Sequence, residues 1–284
     1  MTPRLIALVA IMGLGGLGAA CGTPKSEPAP QPFPQPTAPL PAAPIADASA
    51  AASSPLAGHD QVLTAIVADW TTTTAELRLW KRTSALAGET WELELGPWPG
   101  VVGATGLAWG IGLHGTGAPP GAAGPVKREG DRKAPAGVFG VRELYGYGHP
   151  KPAAAPLRYT EVDARWKCVD DPASRHYARI VDRSAVTVDW KSAEDMRRPD
   201  ELYRWVVDVA HNPGHAPGAG SCIFLHVWRD ATSPTVGCTA MAEDRLATLI
   251  DSLGAAAVVV QLPAAEYAAL VGPWGLPPLP TTGR

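Results

Sequence analysis

Thirty glycines and thirty prolines in 284 residues set the first limit on what this chain can fold into. Proline removes a backbone donor and breaks a helix interior, and glycine loses the most conformational freedom on ordering. A chain interrupted this often has little room for long helices. Within 58–284 the breaks gather as GPWPG, GTGAPPGAAGP, APAG and NPGHAPGAG, which read as turns between short runs. QVLTAIVADW (61–70) is apolar and rich in β-formers, and AELRLWKR (75–82) and ETWELEL (89–95) alternate apolar with polar residues. ELYRWVVDVA (201–210), CIFLHVW (222–228) and AAAVVVQL (255–262) read as further strands. The clearest helix is AEDRLATLIDSL (242–253). Leu246, Leu249, Ile250 and Leu253 share one of its faces, Glu243 and Asp244 suit its first turn, and Gly254 stands where a C-terminal glycine is expected. AAEYAAL (264–270) follows as a short second helix. The expected class is mainly β, with one or two short helices and no internal repeat.

The N-terminal region reads as transport and tether. Residues 1–20 combine one positive charge, a short apolar run and the small residues Gly18-Ala19-Ala20, the layout of a secretory signal peptide. Cys21 follows directly and resembles a bacterial lipoprotein cleavage site, although Leu17 lies four residues before it rather than three. Lipidation of Cys21 would anchor the chain to a membrane by burying methylenes, each worth ~0.8 kcal/mol. Residues 21–57 form a Pro/Ala-rich linker, with ten prolines between Gly22 and Leu56 and almost no large apolar residue. Such a segment buries too little to offset its ordering entropy. Residues 58–284 remain, enough for one large domain. The formal net charge is −3 and no basic run exceeds two residues, which argues against nucleic acid as a partner.

Four cysteines occur, at 21, 168, 222 and 238. An exported chain permits disulfides. With Cys21 lipidated, a bridge between two of the others leaves one odd thiol. Cys168 with Cys222 is the economical pairing, leaving Cys238 free; three free thiols or a bridge through Cys238 are the alternatives. In CIFLHVW, Ile223, Leu225 and Val227 share the core face, which sends His226 to the other face with Phe224 and Trp228. Twelve residues separate His226 from Cys238, and VWRDATSPTVG between them is polar and turn-forming. A strand, a loop and a return could bring the two together. An imidazole beside a thiol accepts its proton and makes the thiolate available. Gly237 permits a sharp turn, and main-chain N–H groups from Gly237 to Thr239 could form an oxyanion hole, each donor worth roughly 3 kcal/mol.

HVWRDATSPTVGC resembles the His…Ser/Thr-x-Gly-Cys signature of the L,D-transpeptidase catalytic domain, the YkuD-like family. VKREGDRKAPAGVFGV (126–141) is similar to that family's Lys-x-Glu-Gly-Asp…Pro-x-Gly-x-Phe segment, and CVDDPASRHYARIVD (168–182) and GAGSCIFLHVW resemble a sub-branch found in envelope lipoproteins. The resemblance spans about residues 60–275. It implies a β-sandwich-like catalytic fold in which Cys238 is the nucleophile and His226 its base, without a cofactor. The family orients that histidine with a main-chain carbonyl. The implied substrates are peptidoglycan stem peptides: Cys238 attacks the diamino-acid carbonyl, expels the terminal D-residue and passes the acyl group to another stem's amine, or to water. The implied location is the bacterial cell envelope, on the periplasmic or outer side of a membrane, with the protein a monomer. The chain departs from the pattern where relatives carry His before Gly-Cys and an aliphatic residue then Arg after it; here Val236 and Thr239-Ala240 stand instead. Lys127, Arg128, Arg229 or Arg245 could supply the missing cation, and Trp228 and Thr235 are further candidates to touch substrate.

Competing readings are weaker. A zinc site would need His211, His215, His226 and Cys238, but Pro213 and Gly214 break any helix that would align the first two, so no metal is expected. Asp170-Asp171 before Pro172 reads as a turn rather than a calcium site. His114 in GLHGTG reads as a surface loop residue. A non-catalytic wall-binding module, and a hydrolase on the same fold (a carboxypeptidase, or an amidase on peptidoglycan-linked peptide), complete the alternatives.

Overall fold

QVLTAIV mixes aliphatic residues with a glutamine and a threonine, yet all of it is buried as β1 (Gln61–Val67). Burial of the two polar side chains is tolerated because each is satisfied. Gln61 reaches Glu94 and the Ser252 carbonyl, while the Thr64 hydroxyl donates to the Arg78 carbonyl and accepts from the Trp80 indole. A computed structural model describes residues 54–85, 88–148 and 157–279, all within the unit Ala51–Arg284. Residues 1–53, read above as a signal segment, Cys21 and most of a linker, lie outside the described residues. Packing begins at Leu56, which is fully buried in the main core, and the Ser54 hydroxyl donates to the Trp274 carbonyl.

The remaining elements follow in chain order. They are β2 (Thr74–Ala85), β3 (Gly88–Val101), β4 (Leu107–Trp109), β5 (Ile111–Gly112), β6 (Gly115–Thr116), β7 (Ala134–Gly146) and β8 (Tyr159–Glu161). Then come β9 (Trp166–Val169), β10 (Ile180–Asp182), β11 (Ala193–Asp195), β12 (Trp205–Val209), β13 (Phe224–Val227) and β14 (Thr239–Met241). The chain closes with α1 (Glu243–Ser252), β15 (Val258–Pro263) and α2 (Ala264–Trp274). The described residues are therefore mainly β with two helices, and neither helix is long and apolar enough to cross a membrane.

The large sheet has the order β12-β13-β14-β3-β2-β1-β15-β7-β4, and β12 also pairs with β7. The hydrogen-bonded path from β12 through β7 thus returns to its start. Two segments expected as turns lie inside strands. GPWPG continues β3, where the Gly96-Pro97 peptide is cis and the register against β2 shifts nearby. APAG opens β7, paired in parallel with β4. Helix α1 ends differently from expectation: Leu253 caps it in an extended conformation, and the Gly254 N–H donates to Gln61 instead of adopting the left-handed cap. That left-handed cap occurs at Gly275, behind α2.

Two packed clusters result. The main one gathers β1, β15, β7 and the buried face of α1 (Leu246, Leu249 and Ile250). A smaller one lies under the separate sheet β10-β9-β11 and holds Cys168, Met196, Tyr203, Val206, Cys222, Phe224 and Cys238. Both faces of β13 are consequently buried: Leu225 enters the main core and Phe224 the smaller one. His114 lies in the exposed turn between β5 and β6, as a loop residue, but its half-buried ring packs against Phe139, Trp109 and Trp274.

Candidate active site

Strand register brings His226 and Cys238 together. β13 and β14 run parallel, with Leu225 opposite Thr239 and His226 opposite Ala240. Cys238 stands one residue ahead of that ladder, so it shares a face with Ala240 and His226, because side chains alternate along strands. A diagonal of two residues and one strand spacing separates Cα atoms by roughly 8 Å, within reach of a histidine and a cysteine side chain. Both residues line one pocket of about 220 Å³, together with Arg198, Leu202, Tyr203, Trp228, Arg229, Thr235, Val236 and Ala240 among others.

The turn before Cys238 is held by Thr235. Its hydroxyl donates to the Cys238 carbonyl (2.6 Å) and accepts the Gly237 N–H (3.1 Å). Gly237 has φ +153°, a region that favours glycine, and an added Cβ would press on the Lys133 carbonyl at 3.3 Å. Thr235 also bridges to Gly103, fixing the loop to the chain after β3. The Gly237 N–H is therefore spent on the turn and is no free oxyanion donor. Thr239 turns its hydroxyl away from the pocket onto Gln261 of β15. Neither Gly237 nor Thr239 lines the pocket.

Cys168 and Cys222 form a disulfide, and Cys238 is a free, buried thiol. The Cys238 Sγ donates to the Cys222 carbonyl at 3.4 Å. Burial pushes the thiol well above the usual cysteine range, and the nearby Glu194 carboxylate adds to the rise. His226 is buried too, and burial lowers its imidazole to about 4. Its Nδ1 lies 2.7 Å from the Val227 carbonyl, which can only accept, so Nδ1 carries the proton and Nε2 keeps a lone pair. At neutral pH the pair rests as thiol and neutral imidazole, not as an ion pair.

Tyr203, Glu194 and Arg198, which no sequence signal marks, complete the surroundings. The Tyr203 ring packs edge-on against His226 (5.1 Å) and Phe224 (5.7 Å), and its hydroxyl donates to Glu194 (2.7 Å). Arg198 stacks over Tyr203 and forms a two-bond pair with Asp200. Trp228, Arg229 and Thr235 line the pocket, with Arg229 exposed and 3.9 Å from Asp200. Lys127 does not: it is buried and bonds Asp131 (2.6 Å) and the Arg128 carbonyl (2.7 Å), fixing its own loop. Arg128 is exposed elsewhere, and Arg245 pairs with Asp244 outside the pocket. Glu129 of the same loop accepts from Tyr177 and Ser221, tying 126–131 to the chain ahead of β13.

His211 donates through Nε2 to the Ala219 carbonyl and receives the Ile111 N–H on Nδ1, so both ring nitrogens are used by backbone. Among the described residues, no group of three or more His, Cys, Asp or Glu is arranged to hold a metal. Asp171 accepts the Ala173 and Lys191 N–H groups in the turn expected for it. Compared with known proteins, the chain matches no family model, no curated protein and no solved structure.

Proposed function

We propose that this chain is a cysteine acyltransferase of the L,D-transpeptidase type, acting on peptidoglycan stem peptides in a bacterial cell envelope. The observation that carries the reading is a free thiol and a correctly tautomerised imidazole lining one pocket, with the Val227 carbonyl supplying the third, orienting element. In this reading the fold is the sandwich-like catalytic fold of that family, the two halves of the strand ring forming its layers. Cys21 carries a lipid anchor, the Pro/Ala-rich segment tethers the domain, and the protein works as a monomer.

The resting protonation states dictate the order of steps. Burial disfavours both the thiolate and the imidazolium, so the thiol stays protonated until a carbonyl is in place. His226 Nε2 then takes the Sγ proton as sulfur bonds to the carbonyl carbon of the diamino acid. The carbon–nitrogen bond to the terminal D-residue breaks, and the imidazolium returns its proton to the leaving amine. The thioester passes its acyl group to an amine of a second stem, and the thiol is restored. Arg229, at the exposed rim, is placed to meet a substrate carboxylate in the role left open by Thr239-Ala240.

A hydrolytic outcome on the same thioester is the second reading. It uses the same nucleophile and base, with water in place of the second stem's amine.

Incubation with a carbapenem or a stem peptide, followed by intact-mass spectrometry, tests the chemistry. Cys238→Ala should remove the adduct while the protein stays folded, and His226→Ala should slow acylation by roughly 10²–10⁴. An adduct that survives Cys238→Ala overturns the assignment by placing the nucleophile elsewhere, and a parent chain that forms none leaves a binding module. Muropeptide analysis then separates the outcomes: new crosslinks mean transfer and shortened stems mean hydrolysis.

A further inference from the structure

A second, larger pocket lies behind Cys222 and shares no lining residue with the first. It holds about 380 Å³ and is lined by polar groups from separate parts of the chain: Arg142 of β7, Asp208 of β12, Arg179 of the loop before β10, and His215. The Cys168–Cys222 disulfide forms part of its wall.

Three independent features converge there. First, its charges are incompletely matched. Arg142 meets Asp208 only loosely, at 3.6 Å, and among the described residues no carboxylate lies within ion-pair distance of the exposed Arg179. His215, a half-buried side chain, has its Nδ1 shielded from solvent without a hydrogen-bond partner. Second, backbone strain collects at the pocket. Six non-glycine residues among those described have positive φ, and three of them, Ala178, His215 and Cys222 (57°, 54° and 54°), line it. Such conformations are unfavourable for residues with a Cβ and tend to persist where a binding geometry requires them. Third, the register between β12 and β7 shifts between Val207 and Val209, so Asp208 sits at an irregularity that re-aims its side chain.

We infer that this pocket is a binding site for a free amino acid or short peptide held by its two charged ends. Arg179, with Arg142, takes the α-carboxylate, and Asp208 takes the α-ammonium. His215 Nδ1 is placed to bond whichever polar group lies beside it. The volume falls in the range of small-ligand pockets and exceeds what a single inorganic anion fills. This site does not depend on the chemistry proposed for Cys238.

Calorimetric titration of the folded chain with glycylglycine, N-acetyl-glycylglycine and glycylglycine amide tests it. The uncapped dipeptide should bind saturably, and capping either end should weaken binding at least about tenfold, the effect of losing one charge-assisted contact. Arg179→Ala, at an exposed position, should weaken glycylglycine binding similarly and erase the preference for a free carboxylate. Asp208→Asn should erase the preference for a free amine. The inference fails if no saturation occurs by about 10 mM, if the capped peptides bind equally well, or if Arg179→Ala leaves binding unchanged. Circular dichroism of each variant separates lost binding from lost fold.

Discussion

Thr235 shows how much a single hydroxyl can settle. It accepts from Gly237 and donates to Cys238, and so converts a polar loop into a fixed approach to β14. Thr235→Val keeps the shape but leaves a buried carbonyl and an N–H without their partner. It should destabilise the domain by about 1–3 kcal/mol in urea denaturation. It should also slow acylation of Cys238, whereas Thr235→Ser should restore most of both. At this scale the meeting of His226 and Cys238 in one pocket was legible, since strand alternation and the polar loop between them point that way, while Trp228, Arg229 and Thr235 entered only as candidates beside the family resemblance. Tyr203 and Glu194 were not, because they come from loops and a short strand that reach the site only through tertiary packing. Lys127 misled for a related reason: a lysine four residues before an aspartate is as ready to close its own loop as to meet a ligand.

Among the elements, the disulfide ties β9 of the small sheet to the residue two before β13. It closes a span of 54 residues, for which chain-entropy reasoning gives about 4 kcal/mol. Cys222 also offers its carbonyl to the Cys238 thiol, so the bridge steadies the acceptor that holds that proton. The paired change Cys168→Ser with Cys222→Ser should lower unfolding free energy by about that 4 kcal/mol. It should also raise the rate at which Cys238 reacts with a thiol reagent in the folded state; an unchanged rate would show that the bridge does nothing for the site. The strands β1, β2, β3, β12, β13 and β15 were readable from alternation or apolar runs, and α1 from its apolar stripe, whereas the short strands such as β4, β9 and β14 were not. The extents of β3 and β7 were not: proline and glycine signal turns locally, but the neighbouring strands β2 and β4 hold GPWPG and APAG extended.

For the molecule as a whole, acid is the informative variable. His211 and His226 are both held near 4 by burial, below the ordinary 6.5. Each therefore contributes stability that is present above about pH 6.5 and is lost as pH falls towards 4, on the order of 3 kcal/mol apiece. Asp208 works the other way. Burial raises it to about 6, so the penalty it carries at neutral pH fades over the same acid range. Asp208→Asn should thus make the loss of stability between about pH 6 and 4 steeper than in the parent chain, measured by denaturant titration at several pH values. A curve no steeper than the parent's would mean that the surroundings of Asp208 do not raise its carboxyl above the ordinary carboxylate range. The hydrogen-bonded path through β12 and back from β7 has a different kind of consequence. His226 and Cys238 are fixed by strands and by Thr235, while 229–234 contributes only its own Asp230-centred turn and the rim of the pocket. If the proposed chemistry holds, that rim can be rewritten, lengthened or recharged without disturbing the strands that hold His226 and Cys238, so the loop is where a change of substrate would cost the fold least.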